Sequence, residues 1–182
     1  MRANPAMARR VRGYSIIELM TVVAIVAIML GIAVPSFQEF VVNYRTSVQT
    51  NDLLSDLAIA RSEAVKYARR TEVRAETGDW TDGWIVWTDL DTDGSVDESE
   101  VVKRHGEAEP EFTIEAGDTS GIPANLIAFG VTGAVIAPAG TNPIEFAVCR
   151  PDNDADRSRG IRLERSGRAE SRNAATNTSV NC

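Results

Sequence analysis

Residues 13–34 read GYSIIELMTVVAIVAIMLGIAV, and this stretch decides how the rest of the chain is arranged. From Tyr14 to Val34 the only charged side chain is Glu18. At ~1.5 Å per residue a helix of that length is ~30 Å long and crosses the apolar core of a bilayer. Upstream, MRANPAMARRVRG carries Arg2, Arg9, Arg10 and Arg12 and no acid. This predicts a cytoplasmic N-terminal flank, with everything beyond Pro35 on the far side. A secretory signal would place small residues in an A-x-A pattern at the far end of the apolar run. The flank there is GIAVPSFQEF and has no such site; Gly13 sits instead at the near edge. Glu18 is the outlier. An ionised carboxylate in hydrocarbon is costly, so it either has a partner or function, or lies shallow and reaches the headgroups.

The string Gly13-Tyr14-Ser15-Ile16-Ile17-Glu18-Leu19-Met20 resembles the class III leader of type IV pilins and pseudopilins. That family places Gly, a cleavage point, an aromatic residue, small and apolar residues, and Glu five places on. The aromatic is usually Phe, where this chain has Tyr14. The resemblance implies that a prepilin peptidase cuts after Gly13 on the cytoplasmic face and N-methylates Tyr14. It implies a partner for Glu18 too, the new α-amine of a neighbouring subunit, which neutralises both charges in a low-dielectric bundle.

Beyond Pro35 apolar residues continue at helical spacing: Phe37, Phe40, Val41, Tyr44, Val48, Leu53, Leu57, Ala60, Ala64 and Ala68. Leu54, Ala58 and Val65 widen the second stripe into a face broad enough for a sheet, and Asp56, Arg61, Glu63 and Arg69 read as its polar side. One helix is therefore predicted over 15–70, membrane-embedded and then amphipathic, weakened or kinked at Gly31 and Pro35. From Glu72 helical spacing stops. Strands are predicted at 72–76, 84–88, 101–104, 112–115, 126–129, 134–137, 144–149 and 161–164, separated by Gly, Pro, Asn and Asp clusters. Residues 171–181 read as a polar tail. The fold class is α+β: a long N-terminal helix packed on an antiparallel β-sheet head. Its expected parts are a cleaved leader (1–13), a transmembrane helix (14–35), an amphipathic helix (36–70) and a β-rich head (71–182).

The segments LAIARSEAVKYA, DGWIVWTD, LIAFGVTG and GIRLERSGR narrow the resemblance to the GspH/FimT branch of minor pilins and pseudopilins. This implies a pilin-like subunit in the bacterial inner membrane, single-pass, with a cytoplasmic N-terminus and a periplasmic head, that later joins a filament tip. The implied role is structural: priming or capping a type IV pilus or a type II secretion pseudopilus. The implied partners are prepilin peptidase, other minor pilins or pseudopilins, the filament and the inner membrane, with no small-molecule substrate.

Composition bounds the chemistry. The 182 residues are 43% apolar and 25% charged, neither disordered nor collagenous. Two cysteines and one histidine exclude a four-ligand Cys/His zinc cage. His105 is expected to be solvated at a strand end and has no nucleophile–base partner in the sequence pattern, so no enzyme is predicted. The net charge of −7 excludes a broad basic nucleic-acid surface. Loss of the four leader arginines leaves 15 bases against 26 acids, a net −11. Residues 72–118 hold 15 acids against three bases, either a docking surface or a solvated face.

Three local motifs remain. Asp89-Leu90-Asp91-Thr92-Asp93-Gly94-Ser95-Val96-Asp97-Glu98-Ser99-Glu100 fits D-x-D-x-D-G-x5-E. As a calcium loop it would offer Asp89, Asp91, Asp93, the Ser95 carbonyl, Asp97 through water, and Glu100, with Gly94 at the turn. Strands rather than helices flank it, so a plain acidic hairpin turn stays open as the alternative; no other cofactor is expected. Cys149 and Cys182 both fall on the periplasmic side, an oxidising compartment, which favours a disulfide over two free thiols. The segment between them holds seven arginines against five acids. Some FimT-like relatives bind DNA during natural transformation through a C-terminal G-R-x-R motif. Here the text is Gly167-Arg168-Ala169-Glu170, with glutamate in the second arginine's place. Arg165, Arg168 and Arg172 are the candidate DNA contacts of this alternative function, against which Glu170 and the acidic middle argue.

Overall fold

The computed structural model describes residues 13–180 and 182; the rest of the leader and Asn181 lie outside the described residues. The described residues divide into two compact units, those up to Val41 and those from Val42 onward.

Helix α1 (Ile16–Tyr67) is unbroken at Gly31 and Pro35. Pro35 lacks only the amide that would bond the Gly31 carbonyl, and the flanking turns hold the helix across that gap. The helix ends three residues short of the expected Arg70. Ala68 takes a φ of 51°, and the Arg69 amide donates to the Ala64 carbonyl at 3.2 Å, which closes the last turn in a left-handed cap. Ala68 is consequently exposed rather than part of the buried stripe.

Among the described residues the second unit carries nine antiparallel strands: β1 (Thr71–Ala75), β2 (Trp84–Thr88), β3 (Val101–His105), β4 (Thr113–Asp118), β5 (Leu126–Phe129), β6 (Val135–Ala137), β7 (Ile144–Cys149), β8 (Arg159–Leu163) and β9 (Ala169–Asn173). They form two sheets, ordered β3-β2-β1-β5-β6 and β4-β7-β8-β9, where one had been expected. Strand β9 runs into the start of the expected polar tail. Its sequence, AESRN, has no apolar alternation, but its register against β8 (Ile161 opposite Ser171, Leu163 opposite Ala169) supplies the pairing. It is an edge strand, where polar residues are tolerated on both faces.

One core joins helix and both sheets: Leu53, Leu57, Ala60 and Ala64 of α1 pack with Val73, Trp84, Val86, Ile127 and Phe129 of the first sheet and Ile114, Ile144, Phe146, Ile161 and Leu163 of the second. At ~25 cal/mol per Å² this burial is the main stabilising term of the head. Ala58 and Val65, expected on the buried face, are exposed, whereas Asp56, expected on the polar face, is fully buried. The other face of β1–β2 is covered by its own charged residues. Glu72 lies opposite Trp87 and Arg74 opposite Ile85, with the Arg74 guanidinium 5.6 Å from the Trp87 ring centroid.

Candidate functional site

In the first unit, the described side chains from Tyr14 to Leu30 are all exposed, among them Ile16, Ile17, Leu19, Met20, Ile25 and Ile28. Glu18 stands in the first turn of α1, where a carboxylate is favoured by the helix dipole. Among the described residues no ion-pair partner is found for it. The segment is long and apolar enough to cross a membrane, and its most apolar window has no residue buried. An apolar surface of this extent needs lipid or protein around it.

The second unit treats its acids differently. Asp56 accepts from Lys103 Nζ at 2.5 Å and from the Trp84 indole at 2.9 Å. His105 stacks on Trp84 with ring centroids 4.0 Å apart, a paired and part-covered position rather than the expected solvated one. Sequence reasoning missed this cluster because Asp56 falls among polar residues on a helical wheel. The signal available was Trp84 itself, whose buried indole needs an acceptor.

The C-terminal segment is held in three ways. Cys149 is bonded to Cys182. Glu145, fully buried on β7, accepts from the Thr178 and Ser179 amides at 2.7 and 3.2 Å and pairs with Arg162 and Arg172. Burial pushes its carboxyl up, but those amides and the Arg172 charge outweigh it and hold the carboxyl below its ordinary range. Arg150, nearly fully buried beside Cys149, grips Asp152 with two bonds of 3.1 Å and donates to the Asn43 side chain of α1. The Arg150 bond is the chief cause that depresses the Asp152 carboxyl.

The three candidate DNA arginines are not brought together for one ligand. Arg165 is turned inward, its Nε and Nη1 each 2.5 Å from the Asn142 and Pro138 carbonyls. Arg172 is engaged by Glu145 and by Asn177. Arg168 alone faces solvent, and Glu170 holds it at 3.3 Å. The preceding Gly167 has a packing reason: at φ 80°, an added Cβ would lie 2.0 Å from the Gly133 carbonyl.

In the β2–β3 connection, carboxylate oxygens of Asp89, Asp91 and Asp93 lie within 4.8 Å of one another. Glu100 reaches back from the far end, its Oε1 accepting from the Leu90 and Asp91 amides at 2.6 and 3.2 Å. Ser95 donates its amide to Asp93, and Asp97 caps a short 3-10 turn (Glu98–Glu100) without a side-chain bond.

Comparison with protein families matches residues 49–167 to the family described as type II transport protein GspH. This chain belongs to the GspH family. The prokaryotic N-terminal methylation motif matches residues 8–34, which span Gly13, Tyr14 and Glu18. No curated protein matches the chain. Solved structures share the fold. The type IV minor pilin FimU of Pseudomonas aeruginosa is 22% identical, with a TM-score of 0.53 over 69% of this chain and 91% of that one. The minor pseudopilin EpsH from the type 2 secretion system of Vibrio cholerae is 13% identical, with a TM-score of 0.52 over 71% and 97%. Membership of the GspH family together with the N-terminal methylation motif marks this chain as a GspH-type minor pilin or pseudopilin. Its apolar N-terminal helix and methylation motif agree with a membrane-anchored pilin.

Proposed function

We propose that this GspH-family protein is a minor pilin or pseudopilin that primes or caps a filament. In this reading prepilin peptidase removes residues 1–13 and methylates Tyr14. The region 14–35 then holds the subunit in the inner membrane, with the head of residues 71–182 in the periplasm, until it joins the filament tip with other minor subunits. The observation that carries the reading is the exposed apolar segment with Glu18 as its single charge and no described ion-pair partner. Such a carboxylate favours a neighbour that supplies a positive charge, and cleavage after Gly13 creates one on every subunit. A self-contained membrane anchor has no need of it.

Deletion of the gene, scored side by side for exoprotein secretion, twitching and DNA uptake, tests the role and separates the machines. Loss of secretion or of twitching, restored by the wild-type gene and not by Gly13→Asp, is the expected result. Normal performance in all three assays would sink the assembly role.

A further inference from the structure

The acidic connection between β2 and β3 contains two orphan oxygens. Asp89 Oδ1 and Glu100 Oε2 are buried and have no hydrogen-bond partner, and both residues are more than nine-tenths buried. They are the first and last acids of the 12-residue D-x-D-x-D-G-x5-E stretch. A buried carboxylate oxygen without a donor is costly and rare, and it calls for a cation or an N–H that satisfies it. The neighbouring cations are already engaged elsewhere: Lys103 by Asp56, Arg104 by Glu76 and Glu98, and Arg70 and Arg74 by Glu72. The stretch itself contains no base.

The loop is otherwise shaped for a small, hard cation. Asp89, Asp91 and Asp93 place one carboxylate oxygen each within 4.8 Å of the others, a spacing at which three like charges repel unless an ion lies between them. Gly94, at φ 75°, turns the chain between Asp93 and Ser95. Glu100 is folded back onto the Leu90 and Asp91 amides through Oε1, which leaves Oε2 as the unpartnered donor at the closing end. Every donor is oxygen, and the scaffold is a loop rather than a rigid octahedron; this chemistry suits calcium, which takes six to eight oxygens in adaptable geometry, over magnesium.

We propose that the β2–β3 connection binds one calcium ion through Asp89, Asp91 and Asp93, with Glu100 closing the site. Strands on both sides replace the helices of an EF-hand, so the ion staples a hairpin rather than setting a helix angle. Binding satisfies the buried oxygens at both ends of the connection and therefore stabilises the head.

The test uses the full chain purified in detergent and stripped with EGTA. Calcium chloride titrated by calorimetry is expected to give saturable heat for one ion per chain, with a dissociation constant of ~10⁻³ M or tighter. At saturation the melting temperature, followed by tryptophan fluorescence, rises by about 3–8 °C. Magnesium at equal concentration gives less than about a third of that rise. Asp91→Asn/Asp93→Asn alters two exposed side chains; it keeps the EGTA melting temperature and weakens calcium affinity by at least about tenfold. No heat and no shift at about 10 mM calcium overturns the site, as does a shift that survives the double substitution or is matched by magnesium.

Discussion

The two units meet the same problem, a carboxylate in apolar surroundings, in opposite ways. In the second unit, Asp56, Glu72 and Glu145 are buried, and each is answered from within the chain: by Lys103 and Trp84, by Arg70, Arg74 and Trp87, and by Arg162, Arg172 and two amides. In the N-terminal unit Glu18 stands among exposed apolar side chains with no described ion-pair partner. These three buried acids are satisfied within the chain, while the exposed apolar surface of the N-terminal unit needs lipid or protein around it. A change at Glu18 should therefore act on assembly and spare folding, and changes in the head should do the reverse.

The largest effect is expected at that contrast. Glu18→Ala leaves the head's unfolding curve unchanged and abolishes incorporation into filaments, read by immunoblot of sheared filament fractions. All three tryptophans (Trp80, Trp84 and Trp87) lie in the head, so fluorescence reports its unfolding without interference from the apolar N-terminal segment. Normal incorporation of Glu18→Ala would break the comparison.

Next comes the clasp. The Cys149–Cys182 bond closes a loop of sequence separation 33, and loop-closure entropy assigns it about 3.5–4 kcal/mol. Cys182→Ser should lower head stability by about that amount in denaturant titration, with reductant having no further effect on the variant. Asp56→Ala should cost about 2–4 kcal/mol, because it strands a buried indole N–H and removes the partner of Lys103.

How far these features were legible in the sequence depends on whether the partner lies nearby in the chain. The apolar N-terminal helix, the α+β class and strands β2, β5 and β7 follow from local hydropathy and turn residues. The 12-residue acidic loop is likewise local, and so visible. Asp56 was misplaced because its partners Trp84 and Lys103 are 28 and 47 residues away. Strand β9 was missed because an edge strand takes its structure from its neighbour's register and not from its own pattern. Arg165 and Arg172 read as surface cations for the same reason: the Asn142 and Pro138 carbonyls and Glu145 that hold them are 23, 27 and 27 residues away.

Acid should separate the units more gently. Glu145, Asp118, Asp152 and Asp154 are all held below the ordinary carboxylate range, so each binds protons more readily unfolded than folded. Their contribution is fully present above about pH 5 and is lost as pH falls below about 4. Glu145→Gln should lower stability at pH 7 by about 1–3 kcal/mol and make the acid decline shallower, read as midpoints of denaturant titration from pH 7 to pH 3. An unchanged acid slope would show that Glu145 does not carry the linkage.

The smallest effect is expected at Arg168, whose surroundings offer a nucleic-acid backbone few contacts. Binding of a duplex scales with the number of phosphates that cations neutralise. Of the three candidate arginines, Arg165 and Arg172 are already bound to carbonyls and to Glu145, and only Arg168 extends into solvent, beside Glu170. One exposed arginine among the three candidates, on a head whose residues 72–118 carry 15 acids against three bases, gives few contacts and repels the backbone. Arg168→Ala should therefore change head stability by less than about 0.5 kcal/mol and leave duplex retention at low salt at the baseline of the wild type. Salt-dependent retention by the wild type that disappears in Arg168→Ala would reverse this, and would show that Arg168 reaches a duplex phosphate in spite of Glu170.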